Sequence, residues 1–148
     1  MPRASIQTRS SYRSMLAVPV RTTDINYGGH LGNDRVLVLV HEARVDFLAG
    51  QSWSELDIGG RSLIMADAVI VFRGEAFAGD VLTIESVPAE VTRTGFRLCH
   101  RLSRPADDTI IALVETGLVG FDYDARRVAA WPDDVRRRLE ALAGEGDT

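Results

Sequence analysis

At 148 residues, with 45% hydrophobic and 26% charged side chains, the chain has the size and composition of one compact domain and is too short for two comfortable cores. Its formal net charge of −4 excludes a general affinity for nucleic acid or anionic membrane, which need a concentrated positive field; a charged ligand has to be met locally. No window approaches the roughly 20 apolar residues of a membrane span, the N-terminus has arginines but no apolar signal core, and one cysteine gives no disulfide framework, so a cytosolic protein is expected.

Residues 1–11 are polar and unpatterned and are expected to form a flexible arm, with a single domain over 12–148. A first strand is expected from about Tyr12 to Arg21. From Asn33 the pattern turns helical, over 34–49. Asn33 or Asp34 is placed to cap the first turn and Gly50 to stop the last. Val36, Val40, Ala43 and Phe47 share one helical face, while Leu37, Val38 and Leu39 fill the other directions, so the helix is expected to be buried. After a turn region near Trp53–Arg61 the chain becomes strand-like: Ser62–Phe72, then Val81–Val91, where Pro88 points to an edge or a bulge. Gly95–Ser103 alternates Phe96, Leu98, His100 and Leu102 against Arg97, Cys99 and Arg101, and Cys99 reads as a packed strand residue. A hairpin turn at 104–108 leads into the longest strand, Thr109–Tyr123, and a short one at Val128–Ala130. Pro132 then opens a final helix over Asp133–Leu142.

One strand, one buried helix and a run of antiparallel strands imply an α+β fold in which a curved sheet wraps the helix. Its open edges predict a homodimer, with pairing into a tetramer left open.

Three segments resemble the hot-dog-fold acyl-CoA thioesterases of the hydroxybenzoyl-CoA thioesterase type. Gly29-His30-Leu31-Gly32-Asn33 is similar to the family's turn into the long helix, and Glu42-Ala43-Arg44 falls at the family spacing from His30. Phe72 to Asp80 resembles its second signature. The resemblance implies a hot-dog fold and hydrolysis of an acyl-CoA, in which coenzyme A is part of the substrate and no cofactor or metal is required. One position departs from the pattern. Four residues before the histidine, where the family usually carries a catalytic aspartate, stands Asn26, which can orient a water or a carbonyl but takes no proton at neutral pH.

Thioester hydrolysis needs a base or nucleophile, donors for the oxyanion and a channel for the pantetheine arm. The catalytic candidates are Asn26, His30, Glu75 and Asp24, the last two as replacement carboxylates. Gly29, Leu31, Asn33, Asp34 and Asp67 are candidates for substrate binding. Each has a structural alternative: glycines make tight turns, His30 or Asp34 can cap, and Glu75 and Asp67 can be ordinary strand residues. Glu42, on a helix expected to be buried, calls for a partner such as Arg44, Arg35 or His41. Arg93, Arg97 and Arg101 are either phosphate contacts or the solvated side of a sheet. His41 and His100 lack metal-like companions. Two further readings stay open: a dehydratase of hydroxyacyl thioesters, which needs a His with a carboxylate, and a non-catalytic acyl-thioester binding domain.

Overall fold

The computed structural model describes residues 3–146. Its strands are β1 (Ser14–Pro19), β2 (Ser62–Phe72), β3 (Val81–Ala89), β4 (Gly95–Arg104), β5 (Thr109–Asp122) and β6 (Arg127–Val128), with helices α1 (Asn33–Gly50) and α2 (Asp133–Gly146). The strands form one antiparallel sheet in the order β1-β3-β4-β5-β2, and β6 is added to the end of β5. The fold is the α+β arrangement expected, with α1 against the inner face of the sheet. Pro88 fits its place: the Ser86 carbonyl accepts from Arg13 N (2.8 Å) and β1 ends opposite Ser86, so the missing N–H two residues on faces no strand.

The inner face explains the alternating patterns. Leu82 and Ile84 of β3, Leu102 of β4, and Ala112 and Val114 of β5 bury against Val36, Leu39, Val40 and Ala43 of α1. Toward the other end, Phe96 and Leu98 of β4 and Leu118 of β5 meet Phe47, Leu48, Trp131, and Val135 and Leu139 of α2. Each fully buried large aliphatic or aromatic side chain contributes roughly 1.5–3 kcal/mol. Between these two clusters runs a row of polar residues at the intervening inward positions: Ser86, His100 and Thr116, all buried. Ser86 Oγ and His100 Nδ1 share a hydrogen bond of 2.7 Å. Neither His100 Nε2 nor Thr116 Oγ1 has a partner among the described residues.

The outer face is covered in part by the N-terminal segment. The Tyr12 ring packs on Val87, Ala89 and Cys99, and the Arg101 guanidinium lies 4.8 Å from its centroid, a cation–π contact. Cys99 is buried there as a packing residue, as expected from its strand position.

Three expectations about α1 are corrected. Gly32, not Asn33 or Asp34, is the N-cap, and no side chain caps it. Asn33 already lies inside the first turn. Gly50 belongs to the helix, and the left-handed residue that ends the turn is Ser52 (φ 64°). Nor is the helix buried on all sides: Val38 and Val45 are 39% and 45% exposed, and Glu42 faces solvent. One curved sheet covers one side of a helix, and a run of apolar residues does not say whether the cover comes from the same chain. Two of the three partners proposed for Glu42 are engaged elsewhere. His41 Nε2 donates to Glu55 Oε1 (2.8 Å) and Arg44 to Glu55 Oε2 (2.8 and 3.0 Å), because the loop after α1 folds back beside it. At the C-terminal end, α2 runs on to Gly146, beyond the expected Leu142.

Candidate active site

The segment between β1 and α1 is built by short-range hydrogen bonds. A single 3-10 turn at Thr22–Asp24 follows Arg21, whose N–H donates to Asp24 Oδ2 (2.9 Å) and whose guanidinium donates to both carboxylate oxygens (3.2 Å each). Asp24 is buried, and the hydrogen bonds from Arg21 hold its carboxyl below the usual carboxylate range. The chain then reverses within a tight turn. Asn26 N donates to His30 O (2.9 Å), Gly29 N to Asn26 O (3.1 Å) and Gly28 N to Asn26 Oδ1 (2.9 Å). Gly29 adopts φ 83°, a conformation cheap only for glycine. Asn26 is therefore the organiser of this turn, and Tyr27 stands fully exposed at its tip.

His30 is oriented by the same turn. Its Nδ1 lies 3.2 Å from Leu31 O; a carbonyl only accepts, so in the neutral ring the proton sits on Nδ1 and Nε2 offers a lone pair. That Nε2 and Asn26 Oδ1 both hang over Gly28, where a Cβ would come within 3.2 and 3.3 Å of them. Opposite stands the loop after β2. It is pinned by Arg73 N and Gly74 N donating to Ile111 O (2.9 and 3.1 Å) and by Leu31 N donating to Ala76 O (2.7 Å), while Arg104 Nη1 donates to Glu75 O (2.9 Å). These bonds bring Glu75 Oε1 to 4.0 Å from His30 Nε2.

The start of α1 completes the arrangement. Gly32 N donates to Asp24 O (3.0 Å) and Arg35 N to Gly32 O (3.0 Å), while the amides of Asn33 and Asp34 have no acceptor among the described residues. They carry the partial positive charge of a helix start. The Asp34 carboxylate leans back over Gly32, where a Cβ would lie 2.7 Å from Oδ1.

These pieces surround a cavity of about 300 Å³. His30, Asn33, Arg73 and Glu75 supply its polar lining, and Leu31, Val36, Phe72 and Ile111 its apolar lining. An imidazole nitrogen, a carboxylate and free helix amides beside an apolar wall can orient a water, remove its proton and stabilise an oxyanion.

Of the residues expected at the site, the structure brings His30, Leu31, Asn33 and Glu75 together around the cavity. Asn26 and Gly29 form the turn behind them, and Asp34 stands at the helix start. Asp24 is engaged with Arg21. Asp67 sits on the outer face at a β2 irregularity and binds Arg97 (2.9 and 3.2 Å). Arg97 also reaches Glu115 (3.0 Å), and Arg101 holds Glu85 (2.6 and 2.9 Å), so these two arginines belong to a solvated sheet face with its own counter-charges. Val36, Phe72, Arg73 and Ile111 were not singled out as site residues. Phe72 and Arg73 lay within the second signature segment and Val36 on the buried face of α1, whereas Ile111 arrives only through β2–β5 pairing and had no local signal.

A family model described as the thioesterase-like superfamily matches residues 20–139. Over 128 residues, 84% of this chain and 80% of the other, the sequence is 28% identical to the betainyl-CoA thioesterase of Pseudomonas aeruginosa. The fold is similar to that of a 1,4-dihydroxy-2-naphthoyl-CoA thioesterase from Synechocystis, with a TM-score of 0.77 and 21% identity over 86% of this chain and 96% of that one. It is also similar to a Staphylococcus aureus protein solved in complex with CoA, with a TM-score of 0.77 and 15% identity over 98% and 90% of the two chains.

Proposed function

The chain belongs to the thioesterase-like superfamily, and from that premise we propose that it is an acyl-CoA thioesterase, hydrolysing an acyl-CoA to the free acid and CoA. The observation that carries this reading is the pair formed by His30 Nε2 and Glu75 Oε1, 4.0 Å apart at the mouth of an apolar-walled cavity. Two acceptors at that separation can each receive one hydrogen of a single water. Glu75 takes the proton as the water oxygen bonds to the thioester carbon. The oxyanion is held by the amides at the start of α1, and collapse of the intermediate breaks the C–S bond. The proton on Glu75 then goes to the departing sulfur. Asn26 and Gly29 set the turn that aims His30, so the position where the family usually carries an aspartate has become a positioning residue. Asp24 and Asp67, each committed to an arginine, take no part in proton transfer.

The acyl group lies against Leu31, Val36, Phe72 and Ile111. Coenzyme A recognition is supported by the CoA-bound Staphylococcus aureus neighbour and by the betainyl-CoA thioesterase relative. The open edge of β2, where residues 65–68 and Phe72 are exposed, supports assembly as a homodimer, with a tetramer as a further step. Residence in the cytosol belongs to the same reading, and a single buried thiol with no disulfide framework is consistent with it.

The test is release of CoA thiol from short, long and aromatic acyl-CoAs by wild type, Glu75→Gln and Asn26→Ala. Glu75→Gln should lower kcat by roughly 10²–10⁴-fold, the usual worth of a general base, with little change in KM. Asn26→Ala should lower kcat less and lower stability as well. Tight acyl-CoA binding without turnover across the panel would replace the enzyme reading with that of a binding domain, and a fully active Glu75→Gln would remove the base assigned here.

A further inference from the structure

We propose that Arg73 is the anion-recognition residue of this cavity, its guanidinium gripping an anionic oxygen group of the substrate: a carboxylate on the acyl moiety or a phosphate of the coenzyme. The inference rests on the thioesterase reading above and concerns which part of the substrate is held by charge.

All 17 basic side chains of the chain are arginine, and those that hold the fold together have visible counter-charges. Arg21 binds Asp24, Arg44 binds Glu55, Arg97 binds Asp67 and Glu115, and Arg104 binds Asp80 and Asp107. Arg73 differs on two counts. It is the cationic residue in the cavity lining, and its guanidinium has no carboxylate partner among the described residues. Glu75, two residues on, is directed to His30 instead.

The backbone that carries Arg73 is nevertheless fixed. Its N–H and that of Gly74 share the Ile111 carbonyl, and Gly74 is pressed so close to β5 that a Cβ would lie 2.9 Å from Ile110 O. A planar guanidinium fork on a fixed backbone, without a carboxylate partner among the described residues, suits carboxylate and phosphate oxygens. With a net charge of −4, the molecule supplies no general field to draw in an anionic substrate. The attraction has to be local, and Arg73 stands where it is needed.

Three thioesters separate the sources of the anion: hexanoyl-CoA, which carries phosphates; glutaryl-CoA, which adds an acyl carboxylate; and hexanoyl-pantetheine, which has neither. Arg73→Gln should raise KM for a charged substrate by roughly 10- to 100-fold, the worth of a charge-assisted hydrogen-bond pair. Its kcat should be unchanged, and so should its kinetics on hexanoyl-pantetheine. Arg73→Lys should recover part of the loss. A KM effect on both CoA esters assigns the phosphate, and one confined to glutaryl-CoA assigns the acyl carboxylate. An equal loss on hexanoyl-pantetheine, no loss on any substrate, or an altered molecular mass in size-exclusion chromatography with light scattering overturns the proposal. If wild type turns over none of the three, the thioesterase reading fails separately. Calorimetric titration with CoA and glutaryl-CoA then decides Arg73: at least tenfold weaker binding of either by Arg73→Gln supports it, and equal binding of both overturns it.

Discussion

Acidification tests the interior most directly, through His100. This side chain is fully enclosed between the two core clusters and its Nε2 has no partner among the described residues. Burial pushes its pKa from 6.5 down to about 3, and the nearby Arg44 charge adds in the same direction. The folded protein therefore keeps His100 neutral, while the unfolded chain binds a proton near pH 6.5. Above that pH both states are neutral and nothing is lost. As pH falls from 6.5 toward 3, only the unfolded state is protonated, so stability falls throughout that window. At about 1.4 kcal/mol per pH unit the gap amounts to about 5 kcal/mol, comparable with a large part of the stability of an ordinary domain. The assay is urea unfolding at fixed protein concentration from pH 8 to pH 4, on wild type and on Ser86→Ala/His100→Leu, which removes the histidine and its hydrogen-bond partner together. Carboxylates such as Asp24 and Glu55, held below their ordinary range by arginine or histidine, add acid sensitivity to both proteins and cancel in the difference. Wild type should lose stability between pH 6.5 and 4 more steeply than the double variant. Parallel curves would refute the reasoning.

Other outcomes follow from close contacts and buried groups. Gly120→Ala would place a Cβ 2.5 Å from Ala129 O and 3.2 Å from the Trp131 ring; the overpacking should cost about 1–3 kcal/mol, read as a lower urea midpoint. Asp24→Asn breaks a buried carboxylate's bonds to Arg21, so the thermal midpoint should fall while kcat of the folded enzyme stays within about twofold of wild type; a collapse of kcat in a stably folded variant would return Asp24 to the catalytic candidates. Burial pushes the Cys99 thiol up to about 11, so it should resist Ellman's reagent in the native protein and react on unfolding. Rapid native labelling would contradict its packed position.

Much of this molecule could be read before its structure was known because the signals were local. Period-two alternation in 95–103 placed Phe96, Leu98, His100 and Leu102 inside, and the Gly-His turn announced the start of α1. The features that escaped depend on contacts between distant segments. Arg44 and His41 meet Glu55 because a loop returns to the helix 11 and 14 residues later. Asp24 looked available as a base, yet a one-turn helix folds it onto Arg21, three residues away. Arg73 lay inside a recognised segment, but nothing in its neighbours distinguished a cation without a counter-charge among the described residues from the paired ones on the outer face. That difference comes from the register of β2 on β5.

The row formed by Ser86, His100 and Thr116 also bears on how the protein can be altered. It separates the core that walls the cavity from the core gripped by α2, and substitutions in regions without shared contacts combine nearly additively. Tighter packing around Val135, Leu139 and Trp131 should therefore raise thermal tolerance without retuning the pocket. Changes to Val36 or Ile111, on the other side of that polar bulkhead, should redraw substrate preference with little help or hindrance from the far end.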